Sequence, residues 1–196
     1  DSLATQEEDY TYFFNGVKHI LKAKNNELKG IHGAVAEVID VPSQMTQAIE
    51  TALGASLLHV IVDSEKDGRQ AIQFLKQRNL GRATFLPLNV IKPRHIASDI
   101  KDIARQTEGF IDIASDAVKV SSKYQSVIEN LLGNTIIVND LKHANELARA
   151  IRYRTRIVTL EGDVDNPGAT MTGGGARKSK SILSQRAERT TNRTQL

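Results

Sequence analysis

The sequence contains no cysteine and no tryptophan, and only 5% of its 196 residues are aromatic. Without cysteine the chain has no disulfide framework, no thiolate nucleophile and no cysteine-based metal site. This is compatible with a reducing cytosol. No apolar run approaches the roughly 18 residues needed to span a bilayer, and no signal peptide is visible. The remaining composition is typical of a soluble chain with room for one good core or two small ones.

The polar residues form no recognisable catalytic or metal-binding pattern. No two of the five histidines have metal-ligand spacing on one face, and no cysteine supports them. Carboxylates such as Glu37, Asp63 and Asp140 stand at predicted strand ends or helix starts, where helix capping explains them. We therefore expect no metal, no cofactor and no catalytic constellation.

The predicted elements repeat one pattern after a first amphipathic helix. The ends of two helices, Ile49–Gly54 and Ile128–Gly133, match each other, and each is followed by an apolar strand and an aspartate. Such a repeat predicts two similar subdomains, related by a local two-fold axis, in an α/β or α+β fold. The predicted helices are 10–24, 42–54, 63–81, 96–103, 124–133 and 139–151. The predicted strands are 33–39, 57–62 and 83–86 in the first copy and 109–113, 134–138 and 155–160 in the second.

The segment 162–181 has five glycines within its first fourteen positions. Because glycine has no Cβ, a phosphate, a small ligand or another chain can approach this backbone closely. Gly168 and Gly173 have the spacing of a phosphate-binding P-loop, but Gly174 stands where that motif requires lysine. A dimer contact is therefore favoured. Two alternatives stay open: a flexible loop, and a small-molecule or nucleotide-binding α/β domain that uses this loop.

Basic residues form three clusters although the formal net charge is only +3. The arginines at 149, 152, 154 and 156 have no acid between them. A single charge run is usually a solvated face, but three runs favour contacts to a phosphate backbone, which are sequence-independent and weakened by salt. The few aromatic residues make base stacking a less favoured mode. The other two clusters are Lys18, Lys22 and Lys24 on the first helix, and Arg177, Lys178 and Lys180 after the glycines.

Four segments carry a family resemblance: Phe14–Lys18, Gly30–Val38, Ala48–Gly54 with the strand after it, and Gly162–Gly175. Read in order, they resemble the hinge domain of bacterial SMC (structural maintenance of chromosomes) proteins over nearly the whole chain. The most specific part is Asn-Pro-Gly at 166–168, followed by Met-Thr-Gly-Gly at 171–174. The resemblance implies two similar subdomains flanked by stubs of an antiparallel coiled coil, in agreement with the repeat.

The resemblance also implies a function. SMC hinges lie at the far end of a coiled coil from an ATPase head, pair as two-fold dimers, and contact DNA through basic residues beside the coiled coil. We expect this segment to lack enzymatic activity, because it has no ATPase motifs, and to belong to a cytoplasmic, nucleoid-associated ATPase. The family usually has glycine where Ala169 stands. The resemblance implies that Gly168, Gly173 and Gly174 lie in the interface, to which we add Ala169 and Gly175. It implies DNA contacts at Arg177, Lys178 and Lys180, to which the charge clusters add the lysines of the first helix.

The sequence thus predicts five regions within a longer protein. They are a coiled-coil stub with the first helix (1–29), hinge subdomain I (30–92), a connection (93–108), hinge subdomain II with the glycine-rich interface (109–176), and a basic coiled-coil stub (177–196).

Overall fold

The computed structural model describes residues 2–175 and residue 183. It contains helices and short strands in alternation, which confirms the predicted mixed α and β fold. The helices are α1 (Ser2–Ala23), α2 (Val35–Val38), α3 (Thr46–Leu53), α4 (Glu65–Arg78), α5 (Ser98–Gln106), α6 (Gln125–Leu132) and α7 (Leu141–Ala150). The strands are β1 (Ile31–Ala34), β2 (Ile39–Asp40), β3 (Val60–Val62), β4 (Phe85–Pro87), β5 (Phe110–Ile113), β6 (Lys119–Val120), β7 (Thr135–Val138), β8 (Arg156–Thr159), β9 (Val164–Asp165) and β10 (Met171–Thr172).

The chain forms two compact units that contain the same arrangement of three strands. In the first unit β1 is antiparallel to β3, and β3 is parallel to β4. In the second unit β5 is antiparallel to β7, and β7 is parallel to β8. A helix joins each parallel pair, as a parallel connection requires. The predicted internal repeat is therefore present in the fold. Strands β9 and β10 extend the second sheet to the order β10-β9-β8-β7-β5.

The connecting helices of the two copies begin and end in similar ways. Ser64 accepts a hydrogen bond from the backbone N–H of Asp67 at the start of α4, at 3.2 Å. Asp140 accepts one from the N–H of His143 at the start of α7, at 2.9 Å. Each helix ends in a left-handed turn, which Asn79 forms after α4. These caps satisfy backbone groups that a helix end leaves unpaired.

The second unit includes a segment that the sequence assigned to subdomain I. The first unit contains the described residues up to Val38 together with Ala55–Ile91, and the second contains Ile39–Gly54 with those from Lys92 onward. The segment 39–54 packs there because β2 pairs with β6, and because α3 contacts α6 and β8. The compact units therefore differ from the predicted continuous ranges 30–92 and 109–176.

Two predicted strands are wrong in part. The prediction placed a strand over 33–39, but β1 ends at Ala34 and one helical turn follows. The Glu37 carboxylate accepts a hydrogen bond from the Ala34 N–H at 2.8 Å, which favours that turn. The prediction of a strand over 57–62 fails in its first half, since Gly54–Leu58 is a 3₁₀ helix and β3 begins at Val60. Short-range hydrogen bonds outweigh the β propensity of these apolar runs.

Each unit has its own core. In the first, α1 and α4 cover the sheet, and Gly16 lies where a Cβ would overlap the Arg82 carbonyl oxygen. Phe13 on α1 is 36% exposed. No helix among the described residues is long and apolar enough to cross a bilayer. The first core includes Val17, Ile20, Ile31, Val60, Val62, Ala71 and Leu75, and the second includes Ile113, Ile136, Val138, Ala144, Leu147, Ile151 and Ile157.

Candidate functional site: the glycine-rich hairpin

The glycine-rich segment forms strands β9 and β10 at one edge of the second sheet. Strand β9 is antiparallel to β8, and β10 is antiparallel to β9 with Met171 opposite Asp165. Gly162 lies in the tight turn between β8 and β9 with a φ of 87°. A Cβ at this position would lie 2.8 Å from the Thr51 hydroxyl oxygen. Gly162 therefore allows a close contact within the unit.

The turn between β9 and β10 follows from its residue types. The Ala169 N–H donates to the Asn166 carbonyl oxygen at 3.1 Å, and Pro167 and Gly168 occupy the two central positions. Gly168 has a φ of 86°, as the third residue of a type II turn requires. The Asn166 side-chain amide donates to the Thr170 carbonyl oxygen at 3.3 Å. The Asn-Pro-Gly motif is therefore a turn of defined geometry.

The hairpin formed by β9 and β10 is held against α7 and the loop after it. The Asp165 carboxylate is 2% exposed and accepts a hydrogen bond from the Asn145 amide at 2.7 Å. The same amide lies 3.3 Å from the Met171 sulfur. The Gly168 N–H donates to the Tyr153 carbonyl oxygen at 3.1 Å. These contacts fix the hairpin at both its base and its tip.

Strand β10 has a free edge. It is the last strand in the sheet order, and it pairs with β9 alone among the strands of the described residues. Met171 on this strand is 60% exposed. An edge strand of this kind presents unpaired backbone groups that a strand from another chain can pair with.

The glycines after β10 differ in what surrounds them. A Cβ at Gly173 would overlap the Asp163 carboxylate, and that carboxylate accepts a hydrogen bond from the Gly174 N–H at 3.3 Å. Within the described part of the chain, no atom lies within 4 Å of a Cβ built at Gly168, Gly174 or Gly175. Gly173 therefore has a reason within the chain to be glycine. The described residues give no such reason for Gly175, because its backbone is also outside the left-handed region.

The predicted DNA contacts are only partly described by the structure. Lys18 and Lys22 are exposed on α1, on the opposite side from the buried Val17 and Ile20. The Lys24 ammonium donates to the His32 carbonyl oxygen at 2.9 Å, so this lysine also holds the chain after α1. Arg177, Lys178 and Lys180 lie outside the described residues.

The carboxylates that the sequence placed at helix starts form hydrogen bonds or ion pairs within the chain, but not every one of them caps a helix. Asp140 caps α7, and the His143 N–H lowers its pKa. Asp63 does not cap α4, because Ser64 does so and Asp63 pairs with His32. Among the described residues no group of three acidic, histidine or cysteine side chains is arranged to hold a metal ion. The segment 168–173 contains strand β10, whereas the corresponding residues of a P-loop form a loop that cradles phosphate.

The family comparison agrees with this geometry. The family model for the flexible hinge domain of SMC proteins matches residues 28–148. The chain belongs to the SMC hinge family. It is 50% identical over 183 residues to the chromosome partition protein Smc of Bacillus subtilis strain 168, covering 93% of this chain and 15% of that protein. The hinge chain thus spans about a sixth of the length of the curated relatives that it matches.

Solved hinge structures share the fold. A crystal structure of an asymmetric dimer of the Geobacillus stearothermophilus SMC hinge domain matches 98% of this chain and 77% of that chain, with 47% identity and a TM-score of 0.87. The Pyrococcus furiosus Smc hinge domain with an extended coiled coil matches 98% of this chain and 66% of that chain, with 30% identity and a TM-score of 0.71. The predicted resemblance is therefore confirmed at the level of family and fold.

Sequence reasoning missed the anchoring residues of the hairpin. Asn145 lies in the middle of α7 and Asp163 in a tight turn, and no local pattern distinguishes either from a solvated polar residue. The signal that was present is Asn-Pro-Gly at 166–168, which is typical of a turn between two strands. The strands themselves have only two residues each, which is too short for an alternating pattern to be visible.

Proposed function

We propose that this SMC hinge is a homodimerisation module, and that the free edge of β10 with the glycines around it is the subunit contact. The observation that carries the proposal is the space that the described residues leave open at Gly168, Gly174 and Gly175, beside a strand edge that none of them pairs with. Backbone of a second copy can approach there, and strand pairing adds main-chain hydrogen bonds across the contact. The Geobacillus stearothermophilus relative crystallised as an asymmetric dimer, which supports dimerisation of the hinge.

The proposed interface contains Gly168, Ala169, Gly173, Gly174 and Gly175. A stable interface of this kind buries on the order of 1,600 Å², so neighbouring side chains must take part. Met171 is suited to this because its side chain is exposed and because methionine adapts to irregular surfaces. Gly173 contributes indirectly, since its lack of a Cβ lets Asp163 hold the segment in place.

The glycine contact is tested by a size series at one position. In Gly175→Ala the added methyl group is small, whereas Gly175→Trp fills the space that the partner backbone needs. A Cβ at Gly175 has no atom of the described residues within 4 Å, so we expect both variants to fold. Sedimentation equilibrium should show a dimer for the wild type and Gly175→Ala and a monomer for Gly175→Trp. A tight dimer of the tryptophan variant would contradict the assignment of Gly175 to the interface.

We also infer that the hinge binds DNA weakly and without sequence preference through the basic residues near its coiled-coil arms. The proposed contacts are Lys18, Lys22 and Lys24 with Arg177, Lys178 and Lys180. The exposed lysines of α1 support this proposal, as does the chromosome partition role named for the Bacillus subtilis relative. We place the whole protein at the nucleoid in the cytoplasm, with ATPase heads at the other end of its coiled coil.

The DNA contact is tested by charge reversal on α1. Lys18→Glu/Lys22→Glu should weaken binding in a gel-shift titration at low salt. Lys66→Glu/Arg69→Glu on the exposed face of α4 changes the net charge equally and serves as the control. Equal binding by the two double variants would remove α1 from the DNA contact. Arg177→Glu/Lys178→Glu/Lys180→Glu tests the other cluster in the same titration, and the dimer should persist.

A further inference from the structure

The second unit contains a cleft whose lining includes none of the residues proposed for the dimer or DNA contacts, with Pro167 of the neighbouring turn at its edge. Its volume is about 410 Å³. It lies between the segment that leads into α5 and the segment that leads into β8. Basic and amide side chains line it together with two buried isoleucines. The lining includes Arg154, Arg156, His95, Asn134, Ile96 and Ile100.

Hydrogen bonds to backbone carbonyls fix both arginines of the cleft. Arg154 Nε donates to the Ile151 oxygen at 2.8 Å. Arg156 donates through Nη1 to the Ala52 oxygen at 2.7 Å and through Nη2 to the Thr51 oxygen at 3.1 Å. Each guanidinium has five N–H donors, so donors remain for a ligand. The carbonyl partners orient the two cations without neutralising their charge.

The backbone at the rim of the cleft is also fixed. The Arg94 N–H donates to the Glu129 carbonyl oxygen at 3.2 Å, and the Asn130 amide donates to the Lys92 carbonyl oxygen at 2.8 Å. Gly133 allows this approach, because a Cβ there would overlap the Arg94 oxygen. The exposed residues Lys92 and Arg94 therefore stand on a fixed segment that continues directly into His95 of the cleft lining.

Positive charge exceeds negative charge around the cleft. Within the described part of the chain, the acidic partner of these bases is Asp99, which lies 3.7 Å from Arg154. Arg154 is 48% exposed and Asp99 is 64% exposed, so water screens this pair strongly. Lys92, Arg94 and Arg156 form no ion pair with the described residues. A concave surface with one sign of charge attracts ions of the opposite sign.

We propose that this cleft binds the phosphodiester backbone of a nucleic acid. It would be a contact surface separate from α1 and the segment after the glycines, and it rests on the proposed DNA-binding function. Arginine suits this ligand because its planar guanidinium can bind phosphate oxygens through two hydrogen bonds. Lys92 and Arg94 extend the positive surface beyond the cleft, which fits a chain of phosphates better than a single anion. Contacts of this kind do not depend on base sequence.

The test is a fluorescence anisotropy titration of labelled single-stranded and duplex oligonucleotides at several salt concentrations. The cleft variant is Arg94→Glu/Arg154→Glu. The control is Arg105→Glu/Lys142→Glu, which changes net charge equally at the opposite ends of α5 and α7. The cleft variant should bind about tenfold or more weakly at 50 mM salt, with a salt slope shallower by about 1.5 to 2, as the loss of two phosphate contacts predicts. The control should bind the oligonucleotides with an affinity much closer to that of the wild type.

The outcomes separate this proposal from the one on which it rests. If the cleft variant and the control bind equally, the cleft proposal is overturned even when the α1 variant binds weakly. If the wild type binds no oligonucleotide at low salt, both proposals fail. If inorganic phosphate at constant ionic strength stabilises the wild type but not the cleft variant, and both bind oligonucleotide equally, the ligand is free phosphate and the nucleic-acid proposal is overturned. Arg94→Gln/Arg154→Gln replaces the cleft variant if charge reversal prevents folding.

Discussion

Ala169 has a φ of 75°, a conformation that costs a residue with a Cβ roughly 1–2 kcal/mol. Glycine at this position removes that cost, although it increases the entropy of the unfolded chain by a smaller amount. We therefore expect Ala169→Gly to raise the free energy of unfolding by about 0.5–1 kcal/mol. Urea denaturation at one fixed protein concentration measures this, because dimerisation also contributes to stability.

The neighbouring Gly168 provides the matched control for this prediction. Its φ is 86°, and none of the atoms that the structure describes lies within 4 Å of a Cβ built there. Gly168→Ala should therefore lower the free energy of unfolding through backbone strain, by about 1 kcal/mol. If both variants shift stability in the same direction, left-handed strain does not determine the energetics of this turn.

Asp140 makes the stability of the second unit depend on pH. The backbone N–H of His143 lowers its pKa in the folded state. A carboxylate with a lowered folded pKa contributes stability above its unfolded pKa of about 3.9, and this is lost as the pH falls through the folded value. Asp140→Asn keeps an oxygen that can cap α7 but does not titrate. Below about pH 4 the free energy of unfolding should fall further for the wild type than for Asp140→Asn. An equal fall in the two proteins, measured over a series of pH values, would contradict this.

At the scale of elements, α1 packs so closely on the backbone of Arg82 within the first unit that position 16 requires glycine. A Cβ there would overlap the backbone of Arg82. Helix propensity alone predicts that Gly16→Ala stabilises by about 1 kcal/mol. We expect the opposite, a loss of about 2 kcal/mol or more, because overpacking must displace backbone. Thermal or urea unfolding measures the change, with the exposed Asn15→Ala as the control that should be neutral or mildly stabilising.

The sequence predicted elements well where apolar residues recur at helical spacing. Helix α7 has Ala144 and Leu147 buried as that spacing requires, and β7 is buried at every position. The prediction failed after Ala34, because the Glu37 side chain bonds back to the backbone there. A pattern of apolar residues contains no information about such a bond.

At the scale of the whole molecule, the repeat was visible in the sequence but its division into units was not. The pairing of Ile39 with Val120 and of Asp40 with Lys119 joins residues far apart in sequence. A strand of two residues has no period of its own, so nothing local shows which unit it joins. The segment 39–54 therefore packs with residues from the second copy, although the sequence repeat assigns it to the first.

At the candidate site, too, the sequence predicted only part of what the structure shows for the glycine-rich segment. Glycine density predicted that something approaches this backbone, and the family resemblance predicted that it is a second copy of the chain. The structure divides the glycines further. A Cβ built at Gly162 or Gly173 would overlap a side chain of the same chain, whereas one built at Gly168, Gly174 or Gly175 has no described atom within 4 Å. That division depends on Thr51 and Asp163, whose positions follow from tertiary packing.

The most direct test of the central claim is amide hydrogen exchange across β10 and the following glycines, residues 171–175. Exchange is compared for the wild type above and below its dimer dissociation constant, and for Gly175→Trp at the higher concentration. If β10 is the subunit contact, exchange in this segment slows by about tenfold or more in the dimer, and the tryptophan variant exchanges like the dilute protein. A wild type that is dimeric by mass, yet exchanges this segment at the same rate at both concentrations, would contradict the account.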